Sequence, residues 1–173
     1  ADSLVSIDPL TKIANRNGLI RTLGAKLDSG NTEGLHLFAV DIDDLGGING
    51  SYGRQEGDRA LILIAEALKK FRDEEHTCYI SRYYGDEFII TADIDNDEER
   101  ELFIEHIRNY ISNAVMTSRF SAPLRVSIGY ARYEHYSKTE TISGLIEEAD
   151  RMLEVSREQK KFQAIWKTGR SSE

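Results

Sequence analysis

The nine residues from Arg82 to Ile90, RYYGDEFII, constrain this chain more than any other stretch. Tyr83 and Tyr84 favour extended backbone, Gly85-Asp86 favours a tight turn, and Phe88, Ile89 and Ile90 return as a strand. The stretch therefore reads as a β-hairpin with acids at its tip. Asp86 and Glu87 are adjacent, and two ionised carboxylates about 4 Å apart repel by roughly 4 kcal/mol at an effective dielectric near 20. A divalent cation would compensate them. A solvated acidic turn needs no such compensation, and Gly-Asp-Glu by itself suits that reading too.

A second acidic cluster bears on the choice. Leu35–Ile42, LHLFAVDI, is a short apolar run with β-branched members, suited to a buried central strand, and it ends in Asp41, Asp43 and Asp44. The two clusters converge only if the strand and the hairpin are neighbours in one sheet, where ligands collect at strand ends. Asp41 and Asp86, with Asp43 or Glu87 nearby, would then offer oxygen ligands to Mg²⁺ (or Mn²⁺), which takes one or two carboxylates plus substrate phosphates. Such a site supports phosphoryl or nucleotidyl transfer. The residue pattern leaves equal room for acids that only cap helices and solvate turns.

Elsewhere, Leu19, Ile20, Leu23 and Leu27 continue a helical pattern begun after Asp8-Pro9. Five glycines between Leu45 and Gly57 argue against a regular helix before Asp58. Leu61, Ile64, Ala65, Leu68 and Phe71 then predict one over Asp58–Arg72. A second helix carries Leu102 to Val115, a strand covers Leu124–Tyr133, and a third helix runs from Ile142 to near Lys161. Phe162–Trp166 suits a final strand and Lys167–Glu173 a frayed tail. The sum is one α/β domain over residues 1–166, with helices over a mixed central β-sheet.

At 173 residues the chain can bury a core without disulfides, and its single cysteine, Cys78, permits no intrachain bridge. That suits a reducing, cytoplasmic compartment. No run approaches the roughly 20 apolar residues of a membrane span, so membrane contact by this segment is not expected. A start at Ala1 suits a piece of a longer protein with sensor or regulatory domains, so the setting is either cytoplasmic or the cytoplasmic part of a membrane-anchored protein. The formal charge of −8 argues against bulk nucleic-acid binding, yet leaves room for one nucleotide carried with its metal.

Several ordered motifs together resemble the GGDEF domain, the diguanylate cyclase family. DPLTKIANR (Asp8–Arg16) is similar to the family's D-x-L-T-x-L-x-N-R opening, and DIDDLGGINGSYGRQEGD (Asp41–Asp58) to D-I-D-x-F-K-x-I-N-D-x-x-G-H-x-x-G-D. RYYGDEF matches the signature hairpin, VSIGYA (Val126–Ala131) the S-x-G-x-A strand, and ADRMLEVSR (Ala149–Arg157) the A-D-x-A-L-Y-x-A-K helix. The resemblance implies a nucleotide-cyclase-like fold with a ferredoxin-like βαββαβ core. It also implies condensation of two GTP molecules into cyclic di-GMP at a homodimer interface with Mg²⁺.

Carried over by position, Asp41, the Ile42 carbonyl and Asp86 would hold metal, and Glu87 would be a second-metal ligand or help activate the ribose 3′-hydroxyl. Asn49 and Asp58 match the guanine readers; a carboxylate accepts from the two donors on guanine's Watson–Crick edge, a pair adenine lacks. Arg157 and Lys161, at i and i+4, match the phosphate-binding cations. Four family positions are altered. Tyr84 replaces the signature's first glycine, Gly46 a phosphate-contacting lysine, and Gly50 and Arg54 an aspartate and a histidine. The product-inhibition motif would fall at Glu75 and Cys78 and is absent, so no inhibitory site is expected. A weak cyclase is the leading reading, and a catalytically silent GGDEF module that binds GTP or serves regulation and dimerisation is its alternative.

Overall fold

The computed structural model describes residues 5–74 and 77–171, with side chains through Ala164. Its elements are α1 (Arg16–Asp28), β1 (Leu35–Ile42), α2 (Leu45–Tyr52), α3 (Arg54–Glu74), β2 (Tyr79–Tyr84), β3 (Glu87–Asp93), α4 (Asp97–Ser118), β4 (Val126–Arg132) and α5 (Ile142–Ser171). A short 3₁₀ turn at Lys138–Glu140 precedes α5. The four strands lie in the order β2-β3-β1-β4, the ferredoxin-like arrangement. All three ladders are antiparallel, not mixed as expected; the parallel component is a single bridge between Ala14 and Ser81 at the β2 edge. The crossovers β1-to-β2 and β3-to-β4 each return a parallel strand with one strand interposed, and helices cover both sheet faces.

Alternation along β1 sorts that cover. Phe38, Val40 and Ile42 point to α3 and α4, where Phe103 stacks on Phe38 at 4.7 Å and meets Phe71 edge-on at 5.1 Å. Leu35, Leu37 and Ala39 point the other way, to Leu19 and Leu23 of α1 and Leu145, Ala149 and Leu153 of α5. Asp41 continues this second stripe, so the strand delivers a carboxylate beneath α5.

Two segments depart from expectation. The glycine-rich stretch after β1 forms α2, with Asp44 as N-cap accepting a hydrogen bond from the Gly47 amide at 3.1 Å. Gly53, at φ +93°, ends α2 and lets α3 start at Arg54 rather than Asp58. At the far end, residues 162–166 continue α5 instead of forming a strand, and the helix persists through Ser171. Phe162 is exposed there. No helix among the described residues is long and apolar enough to cross a membrane.

Candidate active site

The β1–β3 ladder joins the two acidic clusters. Asp41 stands opposite Glu87 on one side and opposite Ser127 of β4 on the other, while Tyr84 of β2 stands opposite Glu87. Cross-strand partners share a face, so Ser127, Asp41, Glu87 and Tyr84 form one row, with α5 over its Ser127 end and Arg16 of α1 against Tyr84. The amide of Ile42 donates to the carbonyl of Asp86 at 3.3 Å, which pins the hairpin tip to the end of β1.

Helix α5 supplies countercharge. Arg157 donates to Asp41 Oδ2 at 2.7 Å and to Asp43 Oδ1 at 3.4 Å. Lys160 donates to Asp43 Oδ2 at 3.0 Å, to Ser127 Oγ at 3.2 Å and to the Val126 carbonyl. The Ser127 hydroxyl also donates to Asp43 Oδ1 at 2.7 Å. Burial works against the Asp43 charge, but these donors outweigh it and hold that carboxyl below the usual carboxylate range.

Asp41 and Glu87 go the other way. Burial, opposed by Arg157 and reinforced by the nearby Asp86 carboxyl, pushes Asp41 up to about 6. Burial, followed by Asp150 of α5 and then Asp41 and Asp86, pushes Glu87 up to about 8. Asp41 Oδ1 and Glu87 Oε1 are buried and accept no hydrogen bond. A hard divalent cation suits this donor set, which is all oxygen and carries two bare acceptors. Among the described residues no group of three His, Cys, Asp or Glu side chains is arranged to hold an ion alone.

Asn49 of α2 and Asp58 of α3 lie on helices that pack against the opposite face of the sheet. The Asn49 carboxamide lies over Gly57, where a Cβ would sit 1.7 Å from Oδ1, and that oxygen is buried and unpartnered. Gly57 thus leaves the space that the Asn49 carboxamide occupies, a role that sequence reasoning missed. Gly46, Gly50 and Arg54 are exposed, and a Cβ at either glycine meets nothing within 4 Å. Lys161 is exposed; the helix phase brings Lys160 to the acids in its place. Asp150, Ser127 and Lys160 also escaped the sequence reading, although all three lie on the polar continuation of stripes that otherwise face the core. Glu75 lies outside the described residues, and Cys78 is half-buried with its thiol pushed up to about 11 by burial.

The Tyr84 φ lies outside the left-handed region: among the described residues the non-glycine positions with positive φ are Lys12, Asp44, Arg119 and Tyr136. Its ring leans against Tyr83 and Arg16. A larger cleft of about 610 Å³, between α3 and α4, shares no lining residue with the acid row.

A ferredoxin-like sheet with clustered acids at adjoining strand ends defines an α/β domain of the nucleotide-cyclase type. The chain belongs to the GGDEF domain family: the model described as "Diguanylate cyclase, GGDEF domain" matches residues 5–163. Diguanylate cyclase DosC of Shigella sonnei is 29% identical over 150 residues, covering 84% of this chain and 32% of that protein. Diguanylate cyclase DgcN of Escherichia coli is 32% identical over 143 residues, covering 80% and 34%. The chain therefore spans about a third of the length of these curated relatives. The coiled coil and GGDEF domain of DgcB from Caulobacter crescentus, solved with c-di-GMP, superposes with a TM-score of 0.74 at 23% identity, covering 89% of this chain and 81% of that one. At that identity the likeness speaks for the fold.

Proposed function

We propose that this domain is a diguanylate cyclase that condenses two GTP molecules into cyclic di-GMP, each nucleotide held by one protomer of a homodimer. The observation that carries this reading is the row of Asp41 and Glu87 beside Asp86, with two buried carboxylate oxygens lacking any donor. Asp41, Asp86 and the Ile42 carbonyl would hold Mg²⁺ or Mn²⁺, which when bound neutralises phosphate charge and favours the alkoxide form of the nucleophile.

The chain's own residues account for the rest. Asn49 and Asp58 read the guanine edge, and Asp58 accepts from its two donors. Arg157, together with Lys160, neutralises the polyphosphate, exchanging its acidic partners for phosphate oxygens of the same charge. Glu87 takes the proton of the ribose 3′-hydroxyl as that oxygen bonds to the α-phosphorus of the facing GTP and pyrophosphate leaves. A carboxylate poised near neutral pH suits that transfer, and Asp150 is placed to share the proton. Use of GTP puts the reaction in the cytoplasm, and control of it would lie in parts of a longer protein.

Incubating the protein with GTP and Mg²⁺ and resolving the products by chromatography tests the reading. Cyclic di-GMP with pyrophosphate is expected; GDP alone, or unchanged GTP at high protein concentration, contradicts it. Gly46→Lys is expected to improve this enzyme. The added side chain has open space on the first turn of α2, and one charge-assisted contact tightens GTP binding by about ten- to a hundredfold, measurable by calorimetry.

A further inference from the structure

Gly57 is a glycine that its own backbone does not require. It is buried at the end of the first turn of α3 and its φ lies outside the left-handed region, so alanine, the better helix former, would suit the position on backbone grounds. Side-chain space explains it instead. A Cβ at Gly57 would meet three heavy atoms first, and all three belong to Asn49: Oδ1 at 1.7 Å, Cγ at 2.8 Å and Nδ2 at 3.4 Å. The backbone fixes this relation. The Gly53 amide donates to the Asn49 carbonyl at 2.9 Å and the Gly57 amide to the Gly53 carbonyl at 3.3 Å. Asn49 and Gly57 therefore stand one turn on either side of the corner that Gly53 makes between α2 and α3, while Ile48, buried in the core, anchors α2 beside them.

The two ends of the Asn49 carboxamide are placed differently. Oδ1 is buried with no hydrogen-bond donor and lies against the hydrogen that Gly57 carries in place of a Cβ, a weak Cα–H···O contact. An NH₂ group turned inward would bury its hydrogens against carbon with nothing to accept them, so the oxygen takes that side. The NH₂ group is left outward, and among the described residues no acceptor takes its hydrogens. Resting on the cyclase reading, we infer that Gly57 is a positioning residue of the guanine site: by lacking a Cβ it seats the Asn49 oxygen and presents the Asn49 amide as a fixed donor to a ring acceptor of the purine. A donor at Asn49 and an acceptor at Asp58 together suit a base that carries both kinds of group. A carboxamide already held in one orientation also loses little freedom when the nucleotide binds.

The test uses 3′-deoxy-GTP with Mg²⁺, a probe that binds but cannot condense because it lacks the attacking hydroxyl. Calorimetry and thermal melting are run on the wild type, Gly57→Ala, Asn49→Ala and the double variant. Each single variant binds the probe about tenfold more weakly than the wild type, the loss of one hydrogen bond, and the double variant stays within about twofold of Asn49→Ala. Melting separates this role from plain packing. Alanine at position 57 lowers the melting temperature beside Asn49 and raises it in the Asn49→Ala background, where the space is free and helix propensity decides. With GTP as substrate, Gly57→Ala raises KM while kcat holds within about threefold. If Gly57→Ala alone fails to fold, a folded double variant still reports the overlap, and an unfolded one overturns it. Wild-type affinity in Gly57→Ala or in Asn49→Ala, losses that multiply in the double variant, or equal melting shifts in both backgrounds overturn the positioning role and leave the cyclase reading in place. A wild type that does not bind the probe overturns the cyclase reading, and the role with it.

Discussion

Glu87→Gln keeps the protein folded and lowers cyclic di-GMP formation by about 10²- to 10⁴-fold, the range for loss of a general base. The amide is isosteric with the carboxylate but cannot take a proton. The same substitution changes stability in the opposite sense. Glu87 is held up to about 8 by burial and by Asp150, Asp41 and Asp86, against an ordinary value of 4.5, so the folded chain binds that proton more tightly than the unfolded one. The stabilising contribution is complete below about 4.5 and is lost as pH rises through about 8. In metal-free buffer the wild type therefore melts at progressively lower temperature from pH 5 to pH 8, and Glu87→Gln flattens that slope and melts higher at pH 8. Product chromatography and melting curves on the same samples check both halves. Turnover within threefold of wild type removes Glu87 from the proton transfer.

Gly129→Ala is the substitution expected to damage the fold most. A Cβ on Gly129 would stand 2.2 Å from the Ala149 carbonyl oxygen and the Leu153 amide nitrogen, and 2.7 Å from Leu153 Cα. These are backbone atoms of α5, so no side-chain rotation relieves the overlap and the helix must lift from β4. Ala149 and Leu145 are fully buried against the sheet, and their packing is lost with the lift. The cost is about 3 kcal/mol or more, at the upper end for overpacking. Because Asp150, Arg157 and Lys160 ride on the same helix, the acid row also loses its partners. Urea unfolding measures the loss, with Gly50→Ala as reference: that position has open space on α2, and alanine there is neutral or stabilising by up to about 1 kcal/mol. Equal midpoints for the two variants contradict the close approach of α5.

Legibility in the sequence followed the range of the interactions. The hairpin and β1 were readable to within a residue or two because turn chemistry and apolar runs are local signals. The meeting of Asp41 with Glu87 needed the order β2-β3-β1-β4, a nonlocal property that strand patterns do not encode. The second helix was hidden by its glycines, although Asp44 three residues before Gly47 and a terminal Gly53 are cap signals that mark it. Lys160 displaced Lys161 because both i+3 and i+4 from Arg157 share a helix face, and only the sheet decides which one meets Asp43. The strand anticipated at 162–166 had β-forming residues, but no glycine or proline between Arg157 and Trp166 stops the helix, which simply continues. Tyr84 stands where the signature has its first glycine, and its φ lies outside the left-handed region, so the backbone there accommodates a side chain.

Anomalous diffraction from crystals grown with Mn²⁺ and 3′-deoxy-GTP addresses the metal seat directly. The expected result is a manganese peak bound by Asp41 Oδ1 and the Asp86 carboxylate, with Arg157 and Lys160 turned from Asp41 and Asp43 toward the phosphates. A nucleotide bound with no manganese at Asp41, or Arg157 still paired to Asp41 beside an occupied nucleotide, contradicts it.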